Sequence, residues 1–133
     1  MKALVVDDDL TSRLILADVL SRFGQVDSCA DGVEAVRAGK AALDQGAPYD
    51  LICMDLLMPT MNGLEALQSI RQEEESRGRP RASKVIVITG NEDSGSIDAA
   101  FGRLCDAYIV KPIDTEALLG VLYCLCPLEG QEV

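Results

Sequence analysis

Four short runs of apolar residues constrain this chain most: Ala3 to Val6, Leu51 to Met54, Val85 to Ile88 and Ala107 to Val110. Each is continuous rather than alternating, the pattern of a strand covered by helices on both faces. A weaker fifth run, Val26 to Cys29, reads as an edge strand. Between the runs, apolar residues fall at helical spacing, as in Leu16, Leu20 and Phe23, then Leu64, Leu67 and Ile70, and finally Leu118, Leu122 and Leu125. Strand followed by helix, five times over, makes parallel strands joined by right-handed crossovers the expected arrangement, an α/β open doubly wound sheet. The 133 residues, 48% of them apolar, suffice for one domain with a single core system.

The punctuation agrees with this order. Gly24 follows the first helical stretch, Asp31 and Gly32 precede the second, Ala47 and Pro48 close it, and Asn62 and Gly63 open the third. Asp114 is placed to cap the last helix, with Pro112 ending the strand before it. The stretch from Ser76 to Ser83, with three arginines, a glycine and a proline, reads as a solvated connection. Pro127 to Val133 form a short polar tail.

Charge and residue inventory remove several classes of function. Asp+Glu number 22 against Lys+Arg 12, a formal net charge of -10, which argues against direct nucleic-acid binding and against anionic membranes. No apolar run approaches the roughly 20 residues that span a bilayer, and carboxylates follow Val6 too soon for a signal peptide, so the expected location is cytoplasmic. The five cysteines lack paired zinc or redox spacing. Without histidine, the chain holds no Ser-His-Asp or Cys-His unit and cannot itself donate a phosphoryl group from histidine.

In an open parallel sheet, ligands bind beyond the carboxyl ends of the strands. The first run ends in Asp7, Asp8 and Asp9, the third in Asp55, the fourth in Thr89 and the fifth in Lys111. Carboxylates a few ångströms apart repel by about 4 kcal/mol at an effective dielectric of 20. One lysine cannot offset three of them, so a hard divalent cation is implied, and an oxygen-only ligand set points to Mg2+. Asp9 alone reads as an ordinary helix cap.

These motifs resemble the receiver domain of two-component response regulators: Val5 to Asp8, Asp55 to Pro59 followed by Met61 to Glu65, Ile88 to Gly90, and Tyr108 to Pro112. The likeness runs from about Lys2 to Cys126, so residues 1–126 would form the receiver and 127–133 the tail. It implies a flavodoxin-like five-stranded parallel sheet of order 2-1-3-4-5 with five helices. It implies that Asp55 is the phosphoacceptor, taking its phosphoryl group from a histidine kinase or histidine phosphotransfer protein. Asp8 and Asp55 would bind Mg2+ through their side chains, Leu57 through its backbone carbonyl, and Asp7 mostly through water. Lys111 would pair with Asp55 and then with the phosphoryl group, the Thr89 hydroxyl would close on another phosphoryl oxygen, and Tyr108 would move with Thr89 as the switch. By the same resemblance a cis peptide precedes Pro112.

Two departures bear on mechanism. Leu57 stands where a polar residue is frequent, and an apolar side chain there is expected to slow loss of the phosphoryl group by failing to orient water. Gly90 follows Thr89 where a small side chain is usual, which should loosen that loop. The resemblance places the output on the face made by the fourth helix, fifth strand and fifth helix, where a downstream target protein would bind. Val121 to Cys126 are apolar on every side, so either that helix end is buried or it offers a patch to a partner or to a second copy in a homodimer. The expected activity is that of a single-domain response regulator, or of a phosphate relay, and not of an enzyme. A haloacid-dehalogenase-type phosphatase also combines aspartate, lysine and threonine, but its motif needs a second Asp where Leu57 stands.

Overall fold

Five parallel strands form one sheet in the order β2-β1-β3-β4-β5. In the computed structural model, which describes residues 1–56, 58, 61–90 and 104–125, they are β1 (Lys2–Val6), β2 (Gln25–Cys29), β3 (Leu51–Asp55), β4 (Lys84–Thr89) and β5 (Ala107–Val110). Four helices lie among the described residues: α1 (Leu10–Ser21), α2 (Gly32–Asp44), α3 (Gly63–Ser76) and α4 (Thr115–Leu125). The flavodoxin-like order read from the sequence is the order found. The helix expected between β4 and β5 falls in residues 91–103, outside the described residues, so α4 here is the fifth helix of the sequence reading.

Continuous apolar strands are needed because both faces of the sheet are covered. Leu4, Val6, Ile52, Met54, Val85 and Val87 point to one face and pack with Ala35 and Ala42 of α2 and Ala66, Leu67 and Ile70 of α3. Their neighbours Ala3, Val5, Leu51, Cys53, Ile86 and Ile88 point to the other, against Leu16, Val19 and Leu20 of α1 and Leu118 and Leu122 of α4. Full burial of each large aliphatic side chain contributes about 1.5–3 kcal/mol. Strand β2, at the edge, has no fully buried residue, which is why its run is the least apolar.

A side-chain acceptor marks the start of each of the four described helices. Asp9 accepts from the Ser12 amide and Asn62 from the Glu65 amide. Asp31 accepts from the Glu34 amide while the Glu34 carboxylate accepts from the amide of Ala30, the residue before the cap. Asp114 accepts from the Glu116 amide at the start of α4. The apolar end of α4 is accounted for by packing: Leu122 is buried, Val121 and Leu125 lie against the α1 side of the core, and Tyr123 meets Phe23 edge to face at 6.3 Å. Cys124 is exposed, and Cys126 lies outside the described residues.

The connection from Ser76 to Ser83 is exposed from Gly78 to Arg81, as expected of a solvated connection, but its far end is not. Ser83 is buried, its amide donates to Glu74 and its hydroxyl to the Tyr49 carbonyl oxygen. Arg81 pairs with Asp106 at 2.8 Å. The loop is tied down because α3 buries an ion pair, Arg71 with Glu74, whose remaining hydrogen-bonding capacity has to be met from this loop and from the approach to β5.

Candidate functional site

Strand register builds the site. Val6 pairs with Met54, so Asp7, the next residue, emerges level with Asp55 at the end of β3. Asp55 pairs with Ile88, which places Thr89 one step further along β4. Thr89 in turn pairs with Val110, and Lys111 follows it. Residues distant in sequence therefore converge at the carboxyl edge, where the chain leaves the sheet for α1 on one side of β3 and α4 on the other.

One ligand oxygen from each of Asp7, Asp8 and Asp55 can be chosen so that all lie within 4.8 Å of one another. Asp7 and Asp55 are buried and Asp8 is exposed. Lys111 Nζ lies 3.2 Å from Asp7 Oδ2 and 3.6 Å from Asp55 Oδ2. Burial works against the charged ammonium, but Asp55 and then Asp7 outweigh it and raise the Lys111 pKa above its ordinary value of 10.5. Lys111 Nζ donates to Asp7 Oδ1 at 3.4 Å, which leaves Asp7 Oδ2 a buried oxygen in ion-pair contact with the lysine but with no hydrogen bond. Three carboxylates, one ammonium and an unbonded buried oxygen fit a hard divalent cation held by Asp7, Asp8 and Asp55.

The remaining predicted residues fall as follows. Thr89 is fully buried, and its carbonyl oxygen accepts from the Lys111 amide. The Lys111–Pro112 peptide is cis. Tyr108, on β5, is 41% exposed. Leu57 lies outside the described residues. Asp9 belongs to α1 as its cap, where the Ser12 hydroxyl and amide hold its carboxyl below the usual range. Gly63 has a role beyond turn formation: a Cβ there would collide with the Asp55 carbonyl oxygen, and the Gly63 amide donates to the Leu56 carbonyl oxygen. Only glycine lets α3 start this close to the strand that carries Asp55.

Two residues the sequence reading passed over also shape the pocket. The Cys29 carbonyl oxygen accepts from the Asp7 amide, and burial pushes the Cys29 thiol up to about 12, so it stays protonated. Arg13 donates from Nη1 to the Asp7 carbonyl oxygen at 2.8 Å. Its signal in the sequence was a basic residue in the first turn of a helix, where the helix dipole disfavours one.

Residues 3–123 match the family model of the response regulator receiver domain. The chain belongs to that family. This receiver is 35% identical over 116 residues to the response regulator ArlR of Staphylococcus epidermidis, a match covering 83% of this chain and 50% of ArlR. It is 29% identical over 136 residues to a probable histidine kinase 2 of Oryza sativa subsp. indica, covering 95% of this chain and 13% of the kinase. The chain thus spans half or less of these relatives' lengths. Among solved structures, the receiver domain of the sensor histidine kinase PA1611 from Pseudomonas aeruginosa, with a magnesium ion coordinated in its active-site cleft, superposes with a TM-score of 0.75 at 26% identity, covering 93% of this chain and 95% of that one.

Proposed function

We propose that this receiver takes a phosphoryl group from a phosphohistidine of a histidine kinase or histidine phosphotransfer protein onto Asp55, with Mg2+, and that the modified domain changes its contact with a downstream protein. The observation that carries the reading is the gathering of Asp7, Asp8 and Asp55, the first and last of them ion-paired with one lysine, with a buried Asp7 oxygen left without a hydrogen bond. Core packing alone does not assemble such a set, because it costs repulsion and desolvation.

A carboxylate oxygen of Asp55 attacks phosphorus as the bond to the imidazole nitrogen breaks, and the electron pair of that bond returns to the ring. Little covalent help is required, so catalysis consists of positioning and charge neutralisation. Lys111 starts the step shared between Asp55 and Asp7 and can turn to a phosphoryl oxygen as the Asp55 charge is used in the new bond. Thr89 supplies a hydroxyl from the neighbouring strand. Bound Mg2+ would neutralise charge on the carboxylates and on the transferred group. The domain acts as a phosphoacceptor that assists its own modification rather than as an enzyme on a separate substrate.

With no histidine in the chain, the donor must come from elsewhere and seat beside the pocket. Helix α1 leaves the pocket at Asp9 and exposes Leu10 and Leu14, at 58% and 60%, which makes it the surface on which an apolar face of the donor would rest. Output follows from the charge-assisted bonds gained by the phosphoryl group. Shifting a two-state equilibrium from mostly off to mostly on takes about 5.5 kcal/mol, and bonds to Lys111 and Thr89 can supply it. Tyr108, exposed on β5, is the side chain proposed to report that shift at the surface formed by β5 and α4.

The test is direct. The protein is mixed with acetyl phosphate and Mg2+ and read by intact mass for one added phosphoryl group. The unmodified chain gains one and Asp55→Asn gains none; an undiminished adduct on Asp55→Asn overturns the assignment.

A further inference from the structure

We propose that Arg13 is a positioning residue for the metal pocket, holding the Asp7–Asp8 peptide in the orientation that lets Asp8 join Asp7 and Asp55. The inference rests on the receiver reading above and assigns a role to a side chain outside the carboxylate, lysine and threonine set. Asp7 is fully buried, and each of its polar backbone groups is engaged from a different element. Its amide donates to the Cys29 carbonyl oxygen of β2 at 3.2 Å, and its carbonyl oxygen accepts from Arg13 Nη1 of α1 at 2.8 Å. One side-chain oxygen, Oδ1, accepts from the Asp9 amide at 2.9 Å.

The consequence for Asp8 follows from peptide planarity. The Asp7 carbonyl lies in the same rigid plane as the Asp8 amide, so fixing the direction of that carbonyl fixes where the Asp8 Cα starts. Asp8 is exposed, so its orientation depends more on its backbone than on burial. Without Arg13, the buried carbonyl would be left unpaired, and the peptide would gain by turning to find another donor. Such a turn carries the Asp8 carboxylate away from the other two. A guanidinium in the first turn of α1 runs against the helix dipole, and this hydrogen bond gives it a reason to be there.

A positioning role and a purely electrostatic one predict opposite signs. Arg13 is a positive charge beside a cation site, so charge alone predicts that removing it tightens Mg2+ binding. Loss of an outer partner that orients a ligand instead weakens metal affinity, typically by about 10–100-fold. Mg2+ is titrated calorimetrically into the full chain, into Arg13→Met, Arg13→Gln and Arg13→Lys, and into Arg22→Met, which removes a charge from the exposed end of the same helix. Thermal unfolding in chelator checks each fold. Arg13→Met is expected to bind Mg2+ at least about 10-fold more weakly, Arg13→Lys and Arg13→Gln, which keep a donor, to recover part of the loss, and Arg22→Met to match the unmodified chain. Unchanged or tighter binding by Arg13→Met, or by Arg13→Gln where the first variant fails to fold, overturns this inference alone. If the unmodified chain binds no Mg2+, the receiver mechanism fails and takes this inference with it.

Discussion

Lys111 Nζ stands 3.2 Å from Asp7 Oδ2, closer than its 3.6 Å to Asp55 Oδ2. The lysine is thus shared between the residue proposed to receive the phosphoryl group and a wholly buried carboxylate beside it. Sharing offsets part of the repulsion between the two buried carboxylates. It would also let the ammonium follow the charge if Asp55 became an acyl phosphate, since Asp7, just past the end of the neighbouring β1, would still pair with it.

Removing the lysine should separate charge balance from metal binding. Lys111→Met is expected to bind Mg2+ at least as tightly as the unmodified chain, because a competing positive charge is gone. It should be phosphorylated by acetyl phosphate at least about 100-fold more slowly, the scale seen when one charge-stabilising donor is lost. Its melting temperature in chelator should fall, and Mg2+ should raise it by more than it raises that of the unmodified protein. Calorimetry and differential scanning measure both, and an unchanged labelling rate would remove Lys111 from the mechanism.

The raised pKa of Lys111 has a pH consequence. A lysine whose folded pKa lies above its unfolded value stabilises fully below about 10.5, and that contribution fades as pH rises through the folded pKa. The stability difference between the unmodified chain and Lys111→Met should therefore be constant from pH 7 to 9 and shrink only in the alkaline range. Urea unfolding across pH 7 to 11 checks this. A difference already lost at pH 8 would contradict the ion pair.

Gly63→Ala tests the close approach of α3 to β3. The obstructing atom is the Asp55 backbone carbonyl oxygen, which cannot swing aside as a flexible side chain could. The substitution should cost about 1–3 kcal/mol, the range for overpacking, and should slow Asp55 phosphorylation because the strain falls on its own peptide. Gly120→Ala, where an added Cβ meets nothing within 4 Å, serves as the paired control and should stabilise by about 0.5–1 kcal/mol, the helical difference between alanine and glycine.

The sheet order and the residues at its carboxyl edge are legible in the sequence because their signals are of two strong kinds. Continuous apolar runs such as Val85 to Ile88 report burial on both faces, and carboxylates or lysine directly after such runs report the carboxyl edge of the sheet. What escaped was polar structure whose partners are remote in sequence. Arg71, Glu74 and Asp106 form no motif in the sequence, and nothing singles them out there. Nothing local distinguishes a solvated arginine from one with 8% of its side chain exposed. Arg13 differs: its place in the first turn of a helix is a local signal, but its acceptor, a backbone carbonyl oxygen, carries none.

That hidden network supplies the last prediction. Arg71 Nη1 reaches Glu74 at 2.9 Å and the Ser83 carbonyl oxygen at 2.7 Å, Nη2 pairs with Asp106 at 3.3 Å, and Nε donates to the Leu104 carbonyl oxygen at 2.9 Å. Arg71→Met would strand the Glu74 carboxylate, 1% exposed, and should cost about 3–5 kcal/mol, whereas Arg71→Met with Glu74→Met should cost less than the single change. Asp106 adds a pH signature. Its burial would raise its pKa, but the Val85 amide and Arg81 outweigh that and hold it below the ordinary 3.8. A depressed carboxyl stabilises fully above its unfolded pKa and loses that contribution as pH falls through the folded one. Asp106→Asn should therefore be less stable than the unmodified chain at pH 7, with the gap closing only below about pH 4. Denaturant titrations at pH 7, 5 and 3 measure it, and a gap that closes by pH 5 would show that Asp106 is not held by this network.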